Sequence, residues 1–122
     1  MKTIIALFIL LSLGCTRISY HIIEGKIEKI ESSGSIALGQ NDTITVTFTG
    51  GVNSCASPDH LKTDIRGNTI VFWAYYKYPR KNDICLQAMP VHQLKYIYKP
   101  KKNGIYFYEG ANSSHSCTSE VH

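Results

Sequence analysis

The chain has 122 residues, 43% of them apolar, and a formal net charge of +4. This size fits one domain with a real hydrophobic core, and a mildly basic balance does not by itself indicate nucleic-acid binding. The sequence contains no glycine-rich phosphate loop, no GxSxG, no HExxH and no convincing pair of catalytic carboxylates. Composition and motifs therefore predict a single globular domain and indicate no cofactor and no particular activity.

The first predicted element is an apolar segment over residues 4–11. It is too short to span a bilayer as a helix, which needs about 20 apolar residues, but it suits a secretory signal peptide. The segment continues into "LSLGC", which resembles the lipobox of bacterial lipoproteins, where a peptidase cuts before a cysteine that carries lipid. The match departs at Ser12, where a leucine is expected, and Leu13 lies one place closer to the cysteine. The resemblance implies a signal peptide over residues 1–14 and lipidation of Cys15; the alternative is an ordinary signal peptide that leaves a thiol.

Lipidation would change both the location and the cysteine count of the chain. Stable membrane anchoring takes more than one acyl chain, at about 0.8 kcal/mol per buried CH2, so several chains on Cys15 would hold the domain without a spanning helix. Cys55, Cys85 and Cys117 would then remain, in a compartment that permits disulfides. We expect a Cys55–Cys85 bridge because Cys117 lies in a polar segment, although the sequence alone leaves the connectivity open.

Residues 15–25 are predicted to form the lipidated N-terminus and a tether, and residues 26–122 one domain. The segment "GKIEKIESSG" fits an edge strand with exposed Lys and Glu side chains, although its isoleucine spacing also resembles that of a helix. The next segment, "TITVTFT", alternates threonines with apolar residues and is the clearest strand signal in the chain. The domain is therefore predicted to begin with strands.

The segments that follow predict further strands and loops. "HLKTDIRGNTIVFWAYYKY" predicts a hairpin about Gly67 and Asn68, and its second arm is apolar on both faces, which favours a central strand. "YPRKNDICLQAMPV" predicts a loop around a short strand near Cys85. "QLKYIYKPKKNGIYFYEG" predicts a strand pair that turns at Asn103 and Gly104. "GANSSHSCTSEVH" is small and polar, so we expect a frayed tail unless it adds a last strand.

Short strands with turns about every ten residues predict an all-β sandwich or barrel. Two segments, "SIALGQNDTITVTFTG" and "YIYKPKKNGIYFYEG", resemble the opening strands and a later corner of immunoglobulin-like domains. This resemblance implies an immunoglobulin-like antiparallel β-sandwich of about six or seven strands, in which the hydroxyl of Tyr106 bonds back to the backbone. The cysteines depart from the antibody pattern because Cys55 falls after its strand, so a bridge to Cys85 would join loops or strand ends.

Two groups of residues carry metal-binding or nucleophilic side chains. Cys55 with Asp59 and His60 is compatible with a thiol nucleophile and its base, but exported thiols tend to be oxidised, which favours a structural disulfide. The polar C-terminal segment holds His115, Cys117, Glu120 and His122. Their spacing matches no closed structural zinc pattern, so we predict neither a catalytic residue nor a metal site.

Basic residues alternate with tyrosines in two segments, residues 75–81 and 95–102. The predicted interaction face consists of Tyr75, Tyr76, Lys77, Tyr78, Arg80, Lys81, Lys95, Tyr96, Tyr98 and Lys99. Such residues can bind single-stranded nucleic acid or anionic head groups, or simply form charged strand edges that discourage aggregation. An exported, tethered protein seldom meets nucleic acid, so we expect a membrane contact through the lipid, a protein or glycan partner, and no nucleic acid.

The sequence therefore predicts a lipid-anchored, non-enzymatic bacterial envelope protein that binds or supports another component at the surface or the periplasmic face. The alternative is a loop-presenting enzyme inhibitor or a small secreted enzyme on the same sandwich, which rests on fold-level analogy. A deep pocket that gathers His60, His92 and an acid would favour the enzyme. A flat face or protruding loops would favour the binding protein.

Overall fold

The computed structural model describes residues 20–51, 53–79 and 85–122, and these residues form β-strands without a helix. The strands are β1 Tyr20–Glu24, β2 Lys26–Glu31, β3 Ser35–Ile36, β4 Asp42–Thr49, β5 Ser57–Arg66, β6 Thr69–Pro79, β7 Val91–Tyr98, β8 Gly104–Gly110 and β9 Ser116–Val121. They form a six-stranded and a three-stranded sheet in a sandwich-like arrangement, which confirms the predicted all-β class. The predicted signal peptide and Cys15 lie outside the described residues.

The three-stranded sheet has the order β2-β4-β7, and both pairings are antiparallel. Its central strand, β4, is the "TITVTFT" segment, so that strand prediction is confirmed. Ile44, Val46 and Phe48 face the interior and are fully buried, while the threonines face outward. The strict two-residue period of the sequence thus matches one buried and one solvated face.

The six-stranded sheet is built around β6, which has neighbours on both sides. On one side it pairs antiparallel with β5. On the other side, β8 pairs parallel with its first half, Thr69–Phe72, and β1 pairs antiparallel with its second half, Tyr75–Pro79. Beyond β8 follow β9 and then β3, which pairs parallel with β9. The predicted central position of this strand is therefore confirmed.

The β5–β6 hairpin turns at Gly67 and Asn68, as predicted. Gly67 has a φ of +58°, a left-handed conformation that glycine adopts without steric cost. The turn is also fixed to β8, because the side chain of Asn68 donates to the carbonyl of Ile105 and its own carbonyl accepts from the backbone N–H of Phe107. This turn sets which residues of β5 and β6 lie opposite each other.

Both ends of the described chain differ from the simplest prediction. Residues 20–24, assigned to the tether, form β1 and pair with β6. Residues 116–121 do not fray but form β9, inside the sheet between β8 and β3. Ser119 and Val121 of β9 are buried, and the Ser119 hydroxyl lies 2.8 Å from that of Ser32. A polar strand is stable here because its buried hydroxyl has a partner.

A buried hydrogen-bond network links the two sheets. The Tyr108 hydroxyl on β8 donates to Asp42 Oδ2 on β4 at 2.7 Å, and the Ser33 N–H donates to Asp42 Oδ1 at 3.1 Å. Burial alone would raise the pKa of Asp42, but hydrogen bonds from Ser119, Tyr108 and Ser33 hold it below its usual value. Burial and the bond to Asp42 raise the pKa of Tyr108, which therefore remains a protonated donor.

The corner between β7 and β8 confirms a detail of the sequence analysis. The hydroxyl of Tyr106 donates to the backbone carbonyl of Lys102 at 2.8 Å. The ring of Tyr106 is buried, as is Pro100 just after β7. The hydroxyl thus bonds to the backbone a few residues upstream, as the resemblance to immunoglobulin-like corners implies.

Candidate interaction surfaces

A disulfide bond joins two loops at one end of the sandwich. Cys55, in the loop after β4, is bonded to Cys85, in the loop before β7, with their Cα atoms 5.5 Å apart. The same loops are hydrogen-bonded, because Ser54 N donates to the Leu86 carbonyl and Leu86 N donates to Ser54 Oγ, both at 2.8 Å. The expected bridge and its position between loops are therefore confirmed, and such a bond indicates an oxidising, exported compartment.

The disulfide also decides the role of Cys55. Its sulfur is bonded to Cys85, so the interpretation of Cys55 as a free nucleophile is wrong. Asp59 is hydrogen-bonded to the neighbouring ring of His60, and that ring stacks on Tyr75 with centroids 4.7 Å apart. The Asp59–His60 pair therefore belongs to the outer surface of the six-stranded sheet.

That outer surface carries three stacked pairs, each formed by a basic side chain and an aromatic ring. The Nζ of Lys62 lies 5.2 Å from the Trp73 ring centroid, and the Nζ of Lys77 lies 4.7 Å from that of Tyr20. The His60–Tyr75 pair lies between them, with ring planes only 8° apart. We call this surface the aromatic–basic face; its members are Tyr20, His60, Lys62, Trp73, Tyr75 and Lys77.

Strand register produces the aromatic–basic face. The hairpin places Lys62 opposite Trp73 and His60 opposite Tyr75, and side chains directly opposite each other on one face of a sheet are within contact distance. β1 begins opposite Pro79, which brings Tyr20 beside Lys77.

The face offers several chemical functions to a partner. Its rings are partly exposed and amphipathic, and such side chains are enriched at interfaces. Each cation over an exposed ring contributes about 0.5–1 kcal/mol, so a partner can displace it at low cost. Lys77 also lies 4.0 Å from Asp59. Stacking, hydrogen-bond donation and positive charge are thus available on one surface.

The predicted interaction residues do not form one surface. Tyr75 and Lys77 belong to the aromatic–basic face, but Lys95 projects from the opposite sheet beside Thr45, and Lys99 is exposed beyond β7. Among the predicted tyrosines, Tyr76 lies in the core, and Tyr78, Tyr96 and Tyr98 pack against it. Arg80 and Lys81 lie outside the described residues. Alternate residues of a strand point to opposite faces, so two tyrosine-rich strands divide their tyrosines and lysines between the interior and two outer surfaces.

Sequence reasoning missed Tyr20, His60, Lys62 and Trp73 as members of this surface. Three of them follow from the predicted turn, since counting back from Gly67 and Asn68 places Lys62 opposite Trp73 and His60 opposite Tyr75. Tyr20 has no comparable signal, because β1 pairs with a strand that is distant in the sequence.

The remaining sequence candidates are separated by the fold. His60 is exposed on the outer face, whereas His92 is buried and its Nε2 lies 3.1 Å from the Gly50 carbonyl. On β9, Cys117 packs against the core while Glu120 is exposed on the other face, and burial raises the pKa of Cys117. Within the described ranges, no three His, Cys, Asp or Glu side chains lie close enough to hold a metal ion. Nor do those ranges include a helix that could cross a membrane.

Comparisons of the chain with protein families, with curated proteins and with solved structures find no match.

Proposed function

We propose that this chain is a lipid-anchored, non-enzymatic protein of the bacterial envelope that binds another surface component through the aromatic–basic face. The observation that carries the binding role is the presence of two lysine–aromatic contacts and one His60–Tyr75 ring stack on one outer surface. Export is supported by the Cys55–Cys85 disulfide. The anchor would be acyl chains on Cys15, as the lipobox resemblance implies.

The partner that fits this face is a protein segment or glycan that carries negative charge. Lys62 and Lys77 supply positive charge beside partly exposed rings, and aromatic side chains bury a large area when a partner covers them. Asp59 contacts both His60 and Lys77, so a partner that engages Lys77 directly would replace this carboxylate.

We propose further that the domain is a distant member of the immunoglobulin-like class. The bond from Tyr106 to the Lys102 carbonyl supports this relationship. The parallel β3–β9 and β6–β8 pairs depart from a sandwich of two purely antiparallel sheets. A disulfide between loops likewise differs from the antibody type.

The anchor is tested with Cys15→Ala and an intact-mass measurement. The wild-type protein is expected in the membrane fraction, with the mass of acyl chains on a cysteine N-terminus. The variant is expected in the soluble fraction. A variant that still sediments with membranes, or a wild-type mass without acyl chains, would refute the anchor.

The binding face is tested through Trp73, the only tryptophan in the chain. Titration with soluble cell-wall glycan fragments, and separately with an acidic peptide, should change Trp73 fluorescence for at least one of the probes. Lys62→Ala and Tyr75→Ala should each weaken that binding about tenfold, a loss of about 1.4 kcal/mol in binding free energy. Lys95→Ala is the matched control, because Lys95 lies on the opposite sheet. Equal affinity in all variants would place the binding elsewhere.

A further inference from the structure

The end of the sandwich that holds the disulfide is rich in exposed apolar side chains. Leu86 and Met89, in the loop before β7, are 76% and 78% exposed, and Val91 at the start of β7 is 64% exposed. On β1, which pairs with the second half of β6, Tyr20, Ile22 and Ile23 are also exposed. We call these six residues the apolar end, which shares Tyr20 with the aromatic–basic face. Exposed apolar side chains grouped at one end of a sandwich favour contact with an apolar phase.

Strand register shows that these residues share one end. Tyr20 begins β1 opposite Pro79, the last residue of β6. Val91 begins β7 opposite Thr49, the last residue of β4. The backbone N–H of Gly50 donates to the carbonyl of Pro90, which joins the loop after β4 to the loop before β7, and Gly51 in the first of these loops lies against the side chain of Tyr78 near the end of β6.

Chain length places the proposed anchor close to the same end. Cys15 precedes Tyr20 by five residues, so at about 3.6 Å per residue the connection spans at most about 18 Å. The 11 residues of β6, at about 3.3 Å each, make the sandwich about 36 Å long. Acyl chains on Cys15 would therefore hold the apolar end near the bilayer.

We infer that the apolar end contacts the lipid surface and that the sandwich stands on the membrane with the aromatic–basic face directed sideways. This inference rests on the anchor proposed above. Leu86, Met89 and Val91 would enter the interfacial region, and Tyr20 would lie at head-group level, where amphipathic rings are enriched. The opposite end carries the exposed residues Lys101 and Lys102 and would face away from the bilayer.

The test uses methionine methyl NMR on the lipidated protein in nanodiscs of phosphatidylethanolamine and phosphatidylglycerol. The chain contains two methionines, Met1 and Met89, so removal of the signal peptide leaves one methyl signal, at the apolar end. Leu38→Met adds a second signal at the opposite end, where Leu38 is exposed and its N–H bonds to the His122 carbonyl. Lipids with a paramagnetic head group should abolish the Met89 signal and leave the control signal that the Leu38→Met substitution introduces.

The mass of the same sample reports whether the protein is acylated, so the anchor and the orientation are tested separately. Acylated protein in which both signals survive, or in which both are lost, overturns the upright orientation but leaves the anchor intact. If both methyl signals survive, the apolar end does not contact lipid and is available to a protein partner. If both signals are lost, the domain lies flat on the membrane. Protein without acyl chains refutes the anchor. If the Met89 signal of such protein is still selectively lost, the result supports the lipid contact without the anchor. If the Met89 signal survives, the lipid contact is overturned as well.

A second variant separates lipid contact from mere tethering. Leu86→Asp places a carboxylate on a side chain that is already exposed, so the fold should be kept, while insertion of a charge into the interface is unfavourable. In acylated Leu86→Asp protein the Met89 signal should return. Continued loss of the signal would show that the anchor alone sets the distance and would overturn the apolar contact.

Discussion

Asp42 is the only carboxylate among the described residues whose side chain is fully buried. Its Oδ1 accepts a hydrogen bond from the Ser33 N–H, and its Oδ2 accepts one from the Tyr108 hydroxyl. Because burial opposes the charge, the carboxylate is stable only while these donors are in place. The charge of Asp42 therefore depends on the packing of the two sheets, which keeps its hydrogen-bond donors in place.

The lowered pKa of Asp42 predicts a loss of stability in acid. The folded-state pKa lies below the unfolded value, so this contribution is present above the unfolded pKa and is lost as pH falls through the folded one. In urea unfolding, the difference in unfolding free energy between wild type and Asp42→Asn should be largest at pH 7 and shrink toward pH 3. Glu109→Gln, at an exposed carboxylate, is the control. A difference that is constant with pH would contradict the prediction.

Two tyrosine hydroxyls should differ in energetic value because their acceptors differ. Tyr108 donates to a carboxylate and Tyr106 to a backbone carbonyl. Hydrogen bonds to charged groups contribute about 1.5–3 kcal/mol and neutral ones about 0.5–1.5 kcal/mol. Tyr108→Phe should therefore lower the free energy of unfolding more than Tyr106→Phe at pH 7. Equal losses in urea denaturation would mean that the buried carboxylate does not strengthen its bond.

At the scale of elements, the disulfide, rather than packing, holds together the loops at one end of the sandwich. Cys55 and Cys85 are 30 residues apart, and closing a loop of this length stabilises the folded state by about 3–4 kcal/mol on the chain-entropy model. The double variant Cys55→Ala/Cys85→Ala should lose about that much in urea unfolding. Cys117→Ser, at a cysteine that is free in the described part of the chain, should lose much less. A double variant as stable as wild type would show that hydrogen bonds alone hold these loops together.

Local sequence signals predicted those elements that depend on neighbouring residues. The alternation in β4, the Gly67–Asn68 turn and the bond of Tyr106 are all determined within about ten residues of sequence. The pairing of β1 with β6 and the parallel pairing of β6 with β8 join strands that are far apart in the sequence. No periodicity specifies such partners, so the predicted interaction face combined residues that the fold separates.

At the scale of the whole molecule, the polar C-terminal strand completes the six-stranded sheet. β9 pairs antiparallel with β8 and parallel with β3. Ser119 and Val121 face the core, whereas Glu120 faces solvent. Composition obscured this role, because half of a strand's residues lie on its outer face and the inward residues here are small. The C-terminal segment should therefore behave as part of the core.

Deletion of residues 116–122 should abolish cooperative unfolding, because it removes the partner of β8 and β3 and opens the core around Tyr108, which lies opposite Cys117. Two substitutions on the same strand give a graded version of the test. Val121→Ala removes a buried side chain and should cost about 1–3 kcal/mol, whereas Glu120→Ala at an exposed position should change stability by less than about 0.5 kcal/mol. Thermal unfolding followed by circular dichroism measures all three. If the C-terminal segment were a frayed tail, the truncated protein and both substituted proteins would be as stable as wild type. Cooperative unfolding of the truncated protein would therefore contradict the role of β9.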